Sequence, residues 1–413
     1  MASKVDRRHV TLTVLTGLLL NCVASPISTP ETLRAVVVYL GSSTYQMQAF
    51  TFIRNEETDR NLELDRTDMI SVGPVLSAHA NPSRSLKDLL TTPMLAIPDS
   101  ERSKTPLLVK APPSLGLLFP EKEAIILKEW NKVIHESGYL VTDDCLSILK
   151  SDDEAIYSWL TVNYLSGRLS DDTLNKTVTI LDLGGKSIRV TSAKTISDSS
   201  DLDKHNVNIM GRKMSIHTDS YLHGMGLNAA RAKILTHGMN QTKLRTQKTV
   251  KIHSVCINPG HRKEWTFEGQ KFVIYGRRYI DDKTQNDFLD ECDKIIDDLI
   301  SEAHINPISL EGHEIGVFSG HFWTPAEVGL VDFGQDEEVT VGSLEEASKI
   351  LCQNQKRRGV FDCLNFKYIS ALLRKGLGLA SDQKLRGPVY EYLKGHKLST
   401  AVGAAIGMLH IGK

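Results

Sequence analysis

Two short glycine- and serine-rich turns are the places where this chain's backbone could meet a phosphate. The first follows the apolar run Ala35-Val36-Val37-Val38-Tyr39-Leu40 and reads Gly41-Ser42-Ser43-Thr44; the second follows Thr177 to Leu183 and reads Gly184-Gly185-Lys186-Ser187. In each case a second strand comes next, so the pattern is a hairpin whose tip presents backbone amides. Asp182 stands at the end of the strand before Gly184 and Gly185. A carboxylate there can orient metal-bound water while amides unshielded by a Cβ approach phosphate, and it is also the residue type that an ordinary tight turn uses. Glu154 follows Ser151 at the spacing of a helix capping box, which by itself calls for no chemistry.

These residues need rigid elements to hold them. The segment from Gln46 to Ile53 reads as the return strand of the first hairpin, and Ile188-Arg189-Val190-Thr191 as that of the second. Between the hairpins, Ile156, Trp159, Leu160 and Asn163 recur at helical spacing behind Ser151. A second amphipathic helix carries Phe288, Cys292, Ile295, Ile296, Leu299 and Ala303, and Ser343 with Glu346 marks the start of a third. Ile315 to Phe318 reads as another buried strand, leading through Ser319-Gly320 to Phe322 and Trp323. The whole predicts an α/β protein with mixed sheets flanked by helices. The stretch from Lys204 to Lys251 is basic in patches but has no interleaved aromatics, which argues for solvated surface and against a nucleic-acid site.

With 413 residues and 41% hydrophobic content, the chain can fill the cores of two domains. Its formal net charge of -1 gives no global field toward nucleic acid or an anionic membrane. Arg7-Arg8, the apolar stretch Val10 to Leu20 and the small residues near Ala24 read as a signal peptide over residues 1–24, with an uncleaved signal anchor as the alternative. After cleavage no membrane span is expected. Sequons at Asn175 and Asn240 fit a lumenal, glycosylated chain. Of the six cysteines, Cys256, Cys292, Cys352 and Cys363 lie in the C-terminal half. In an oxidising lumen the simplest pairing joins Cys256 to Cys292 and Cys352 to Cys363, although four cysteines allow three connectivities and buried free thiols are the other reading.

Several ordered segments together resemble the apyrase family, the ectonucleoside triphosphate diphosphohydrolases. The family's D-A-G-S-T-G-T-R loop is similar to Tyr39 through Gln46, and its T-A-G-L-R-L-L segment to Pro112 through Leu118. Its E-G-x-Y-G-W helix start is similar to Glu154 through Trp159, its D-L-G-G-A-S-T-Q loop to Asp182 through Arg189, and its W-A-L-G-A stretch to Thr400 through Ala404. Flanking pieces, among them Ser220 through Gly224, Asn228-Ala229-Ala230-Arg231 and Tyr368 through Leu373, follow in the family's order. The late cysteines are similar to those of the soluble lumenal branch that favours nucleoside diphosphates.

The resemblance implies two RNase H-like lobes of the actin, hexokinase and heat-shock ATPase type, with a nucleotide cleft between them. Residues 30–168, completed by about 399–413, would form one lobe, and 169–398 the other. It implies hydrolysis of the terminal phosphate of nucleoside di- or triphosphates with Ca2+ or Mg2+, in the secretory pathway, whether secreted or held in the endoplasmic reticulum or Golgi. Glu154 would be the general base, Asp182 and Glu154 would face the metal's water shell, and Gly41, Ser42, Ser43, Asp182, Gly184, Gly185, Lys186 and Ser187 would hold phosphate. From the residues themselves, Trp323 and Tyr368, with Phe322 and Phe366 nearby, are candidates to stack on the base, core packing being the commoner use of such aromatics.

Against the family pattern, Tyr39 stands for an aspartate, Pro112 for a threonine, Gly116 for an arginine and Thr400 for a tryptophan. Lys186 and Arg189 stand for a small residue and a glutamine, so cations enter where the family has none. These exchanges predict a weak hydrolase or, as the alternative, a catalytically inactive member that binds nucleotide or a protein partner.

Overall fold

The computed structural model describes residues 30–40, 45–54, 62–72, 82–92, 97–111, 120–169, 176–193, 203–209, 212–219, 224–278, 282–305, 310, 312–319, 338–353, 359–386, 392–393, 396–397 and 399–410. The first sheet contains β1 (Glu31–Leu40), β2 (Tyr45–Arg54), β3 (Glu63–Val72), β4 (Leu107–Ala111) and β5 (Leu146–Ile148) in the order β3-β2-β1-β4-β5. Ala35 through Val38 are fully buried, which makes β1 the central strand. Strand alternation sends Val36 and Val38 to one face, against Trp130 and Ile134 of the helix Pro120–His135. Ala35 and Val37 go to the other, against Ala401, Val402 and Ala405 of the helix Thr400–His410.

Downstream come β6 (Thr179–Leu183), β7 (Ile188–Ser192), β8 (Asp203–Ile209) and β9 (Arg212–Asp219), then β10 (Thr249–Ser254), β11 (Arg262–Phe267) and β12 (Gln270–Gly276), then β13 (Ile315–Ser319), β14 (Glu338–Thr340) and β15 (Lys384–Arg386). Seven of them form the sheet β14-β15-β13-β6-β7-β9-β8, and β10-β12-β11 is a separate small sheet. The connectivity repeats that of the first sheet. Just as β1 pairs antiparallel with β2 and parallel with β4, β6 pairs antiparallel with β7 and parallel with β13. The faint duplication of strand, turn and strand is thus a duplication of topology. The mixed sheets with helices on their faces are the architecture expected above. The β8–β9 hairpin is a difference: the polar segment after Lys204, read as solvated surface, adds two strands to the sheet edge.

Two helices lie between the sheets. Trp159, Leu160 and Val162 of the helix Ser151–Leu165 pack on Val178 and Ile180, while the helix Thr400–His410 packs on β1 and β2. They touch where Gly403 meets Tyr157, and a Cβ on Gly403 would stand 2.1 Å from the Tyr157 carbonyl oxygen, so the crossing tolerates no side chain there. Thr161 fastens it: its hydroxyl donates to the Ser399 carbonyl at 2.9 Å and accepts from the Gly403 amide at 2.9 Å. Asn163 joins the first of these helices to β6, accepting from the Val178 amide at 2.8 Å and donating back to its carbonyl at 3.2 Å.

Cysteine pairs Cys256–Cys292 and Cys352–Cys363 are disulfide-bonded, and Cys145 is a buried free thiol. The first bond pins the small sheet's margin to the helix Asp282–Glu302, whose Cys292, Ile296 and Leu299 are buried and whose Phe288, Ile295 and Ala303 pack beside them. The helix expected at Ser343 starts a turn earlier. It spans Val341–Gln353, and the side chains of Thr340 and Ser343 each accept the other's backbone amide at 3.1 Å, a reciprocal cap that leaves Glu346 to pair with Lys349.

Candidate active site

The capping box read at Ser151 and Glu154 is not made. Lys150 occupies the N-cap in an extended conformation with no side-chain cap, which leaves the Glu154 carboxylate available for other work. Asp152, Asp153 and Glu154 all sit in the first turn, where the helix dipole favours negative charge. Each faces a basic side chain from a different strand. His205 of β8 lies 3.8 Å from Asp152, Lys110 of β4 lies 3.1 Å from Asp153, and Arg189 of β7 lies 2.7 Å from Glu154. Both sheets therefore reach the same helix tip.

Arg189 does more than pair with Glu154. Hairpin register places it directly opposite Asp182, and its Nη1 donates to Asp182 Oδ2 at 3.0 Å while Nη2 donates to Glu154 Oε2. One guanidinium thus bridges both candidate carboxylates through charge-assisted hydrogen bonds. The bridge is largely shielded: the side chains of Arg189 and Asp182 are 12% and 6% exposed, against 36% for Glu154. Arg189 engages Glu154 through Oε2.

Behind the bridge, the second glycine turn is docked rather than splayed. The Gly184 amide donates to the Ser187 carbonyl at 2.9 Å, and the carbonyls of Gly184 and Gly185 accept the amides of Leu227, Asn228 and Ala229 at 2.9 to 3.0 Å. The helix Leu227–Leu235 consequently begins against the loop. Gly226 allows that approach, because a Cβ there would lie 2.3 Å from the Ser187 amide nitrogen. Ser187 is buried, whereas Lys186 is exposed and turns to Glu268 at 2.8 Å, toward the small sheet. A cavity of about 700 Å³ lies alongside, walled by Lys186, Lys233, His237, Phe267 and Phe272; Glu154 and Asp182 are not in its lining.

Gly41, Ser42 and Ser43 lie outside the described residues, as do Pro112 and Gly116. The strand that leads to the first turn is described. Tyr39 has its hydroxyl buried beside Thr400, in a geometry short of a well-formed hydrogen bond. Burial foremost, with the charges of Glu154 and Asp153 adding to it, pushes this phenol far above its ordinary value, so it stays neutral. The end of β1 thus comes within electrostatic reach of the helix tip that Arg189 ties to Asp182.

A divalent cation is what the family resemblance implies, and these side chains do not fit one. Each carboxylate gives one oxygen to Arg189, Asp182 Oδ2 and Glu154 Oε2, so a permanent cation already stands between them, and the Tyr39 phenol offers no carboxylate. Among the described residues no three His, Cys, Asp or Glu side chains gather as metal ligands.

Tyr368 is corrected as a stacking candidate. Its ring is 1% exposed in the core, with its hydroxyl donating to the Met225 carbonyl, and Phe366 is equally buried. Both belong to the helix Asp362–Ala371, which is buried on nearly all sides and also carries Cys363. Trp323 and Phe322 lie outside the described residues, and so does Asn175; Asn240 is exposed. A half-buried platform went unread in the sequence. Arg231 lies 4.2 Å from the ring centroid of Phe361 and 5.3 Å from that of Trp265, and donates at 2.9 Å to Asn228, the neighbour of Gly185. The signal was available in the β11 run Arg262-Lys263-Glu264-Trp265-Thr266-Phe267, where two aromatics alternate within an otherwise polar strand.

A family model described as GDA1/CD39 (nucleoside phosphatase) matches residues 27–411. Ectonucleoside triphosphate diphosphohydrolase 5 of Gallus gallus is 30% identical over 367 residues, covering 86% of this chain and 83% of its own. Ectonucleoside triphosphate diphosphohydrolase 6 of Mus musculus is 27% identical over 367 residues, covering 86% and 78%. Among solved structures, a nucleoside triphosphate hydrolase of Neospora caninum superposes with a TM-score of 0.62 at 12% identity, over 92% of each chain, a likeness of fold.

Proposed function

Because the chain belongs to the GDA1/CD39 (nucleoside phosphatase) family, we propose that it hydrolyses the terminal phosphate of nucleoside diphosphates, and secondarily of triphosphates. The observation that carries this reading is the meeting of Glu154 and Asp182, from a helix tip and a hairpin, in one ionic bridge beside a glycine turn. In this reading residues 30–168, completed by 399–413, form one wall of the cleft and 169–398 the other. A water on Glu154 Oε1 attacks the terminal phosphorus and passes its proton to the carboxylate, and the bond to the nucleoside monophosphate breaks, releasing inorganic phosphate. Gly184, Gly185 and Ser187 hold the phosphate from one side and Gly41, Ser42 and Ser43 from the other. Lys186 serves as a peripheral anion contact once it leaves Glu268, and Trp265 with Phe361 replaces Tyr368 as the surface for the base. No step is drawn through Ca2+ or Mg2+, since the carboxylates that would meet the ion are engaged by Arg189.

The two disulfides and the exposed Asn240 sequon support a lumenal or secreted setting. Among the described residues no helix is long and apolar enough to cross a membrane. A second reading, nucleotide binding without turnover, is favoured by the same Arg189 bridge, because it restrains the proposed base. Phosphate release from UDP, GDP and ADP by the purified protein, alongside thermal stabilisation by the same nucleotides, separates the two. Release selects the hydrolase; stabilisation without release selects the binder; neither response ends the nucleotide reading.

A further inference from the structure

Resting on the nucleotide-site reading above, we infer that Arg189 is a resident cation of the cleft, and that this chain takes its nucleoside diphosphate as the free anion rather than as a divalent-metal complex. The position is fixed by hairpin register. Arg189 stands directly opposite Asp182, and from there its two terminal nitrogens reach Asp182 at 3.0 Å and Glu154 at 2.7 Å. With a neutral glutamine at this place, as in the family pattern, two carboxylates would face the incoming phosphates with nothing between them but an ion from solution. A guanidinium is always charged in a protein, so here one unit of that negative charge is cancelled permanently.

Surrounding residues carry the compensation further. Lys110, itself buried, is paired with Asp153 as Arg189 is with Glu154, so two of the three carboxylates in the helix's first turn are ion-paired. Tyr39, in place of an aspartate, adds no charge at the end of β1. A phosphate entering this cleft meets less repulsion than the family's acidic set would present. A divalent ion meets a fixed positive charge that is hydrogen-bonded to one oxygen of each carboxylate. Both effects move the site away from metal dependence.

The test uses the full mature chain and isothermal titration with UDP or GDP in three conditions: EDTA, Ca2+ and Mg2+. Wild-type affinity is expected to stay within about twofold across all three. The Arg189→Gln variant is expected to lose at least ~10-fold in EDTA and to recover with Ca2+ or Mg2+, as replacing a resident cation by an exchangeable one requires. Wild-type binding that needs Ca2+ or Mg2+ overturns this inference and leaves the nucleotide reading standing. No binding in any condition overturns both. Because the decisive comparison is made on the wild type, it holds even if Arg189→Gln fails to fold; a folded variant that binds equally in EDTA and in metal also overturns the role of Arg189.

Discussion

The ends of β1 and β6 are topologically the same place in two copies of one sheet order, yet they are furnished in opposite ways. β6 ends in Asp182, a buried carboxylate held by an arginine that also grips the neighbouring helix. β1 ends near Tyr39, a neutral phenol whose hydroxyl is buried against Thr400. Repeated connectivity brings two strand ends toward one helix tip; whether charge is placed there is decided by single residues near those ends. The two sheets differ covalently as well, since both disulfides lie in the C-terminal half and the described cysteine beside the first sheet, Cys145, is a free thiol.

Reduction is the broadest way to break that contrast. Opening the bond that closes 36 residues releases loop entropy of about 3 to 4 kcal/mol, and the one that closes 11 about 3 kcal/mol. Denaturant unfolding with and without reductant should therefore show an early transition for the C-terminal half. Cys145, whose thiol burial raises above its ordinary value, should still resist alkylation after that transition and react only when the first sheet unfolds. Simultaneous loss of both regions would show that the first sheet has no stability of its own.

A narrower comparison sets Arg189→Ala against Tyr39→Phe. Removing the guanidinium strands Asp182 in the core, and a buried charge left without its partner costs on the order of 3 kcal/mol. Deleting the Tyr39 hydroxyl, which makes no well-formed hydrogen bond, should change stability by less than ~1 kcal/mol. Thermal melts of the two variants give the ranking directly; equal losses would mean that the bridge is not what organises the cleft.

The smallest expected effect is on pH. Burial first, and then the charge of Lys204, holds His217 below its ordinary value. The unfolded chain therefore takes up this proton first as pH falls, so the contribution of His217 is complete above about pH 6.5 and declines as pH drops toward the folded value. His217→Asn should flatten the slope of stability against pH in that window. An unchanged slope would assign the pH dependence to other groups.

Much of this was legible in the residues. The apolar run at Ala35–Val38 and the largely apolar Thr179–Leu183 announced buried strands, because strands covered on both faces carry few polar residues. The helical spacing of Phe288, Cys292 and Ile296 announced the helix that carries the first disulfide. The Asp182–Arg189 pair could have been counted from a symmetric hairpin, but the reach of Arg189 to Glu154 depends on how a helix some distance away in the chain packs, which no local pattern encodes. The capping box at Ser151 and Glu154 was the local alternative, and it falls out of register because the helix begins one residue early, with Lys150 at the N-cap. Tyr368 failed as a stacking residue because its side of the helix faces the core, where Met225 takes its hydroxyl.

The most direct test of the central claim compares the initial rate of inorganic phosphate release from UDP or GDP by the wild type and by Glu154→Gln, with nucleotide affinity measured on both. If Glu154 activates the water, the variant loses about 10² to 10⁴ in rate while still binding nucleotide. Equal rates in the two proteins would contradict the assignment and with it the site built around the Arg189 bridge.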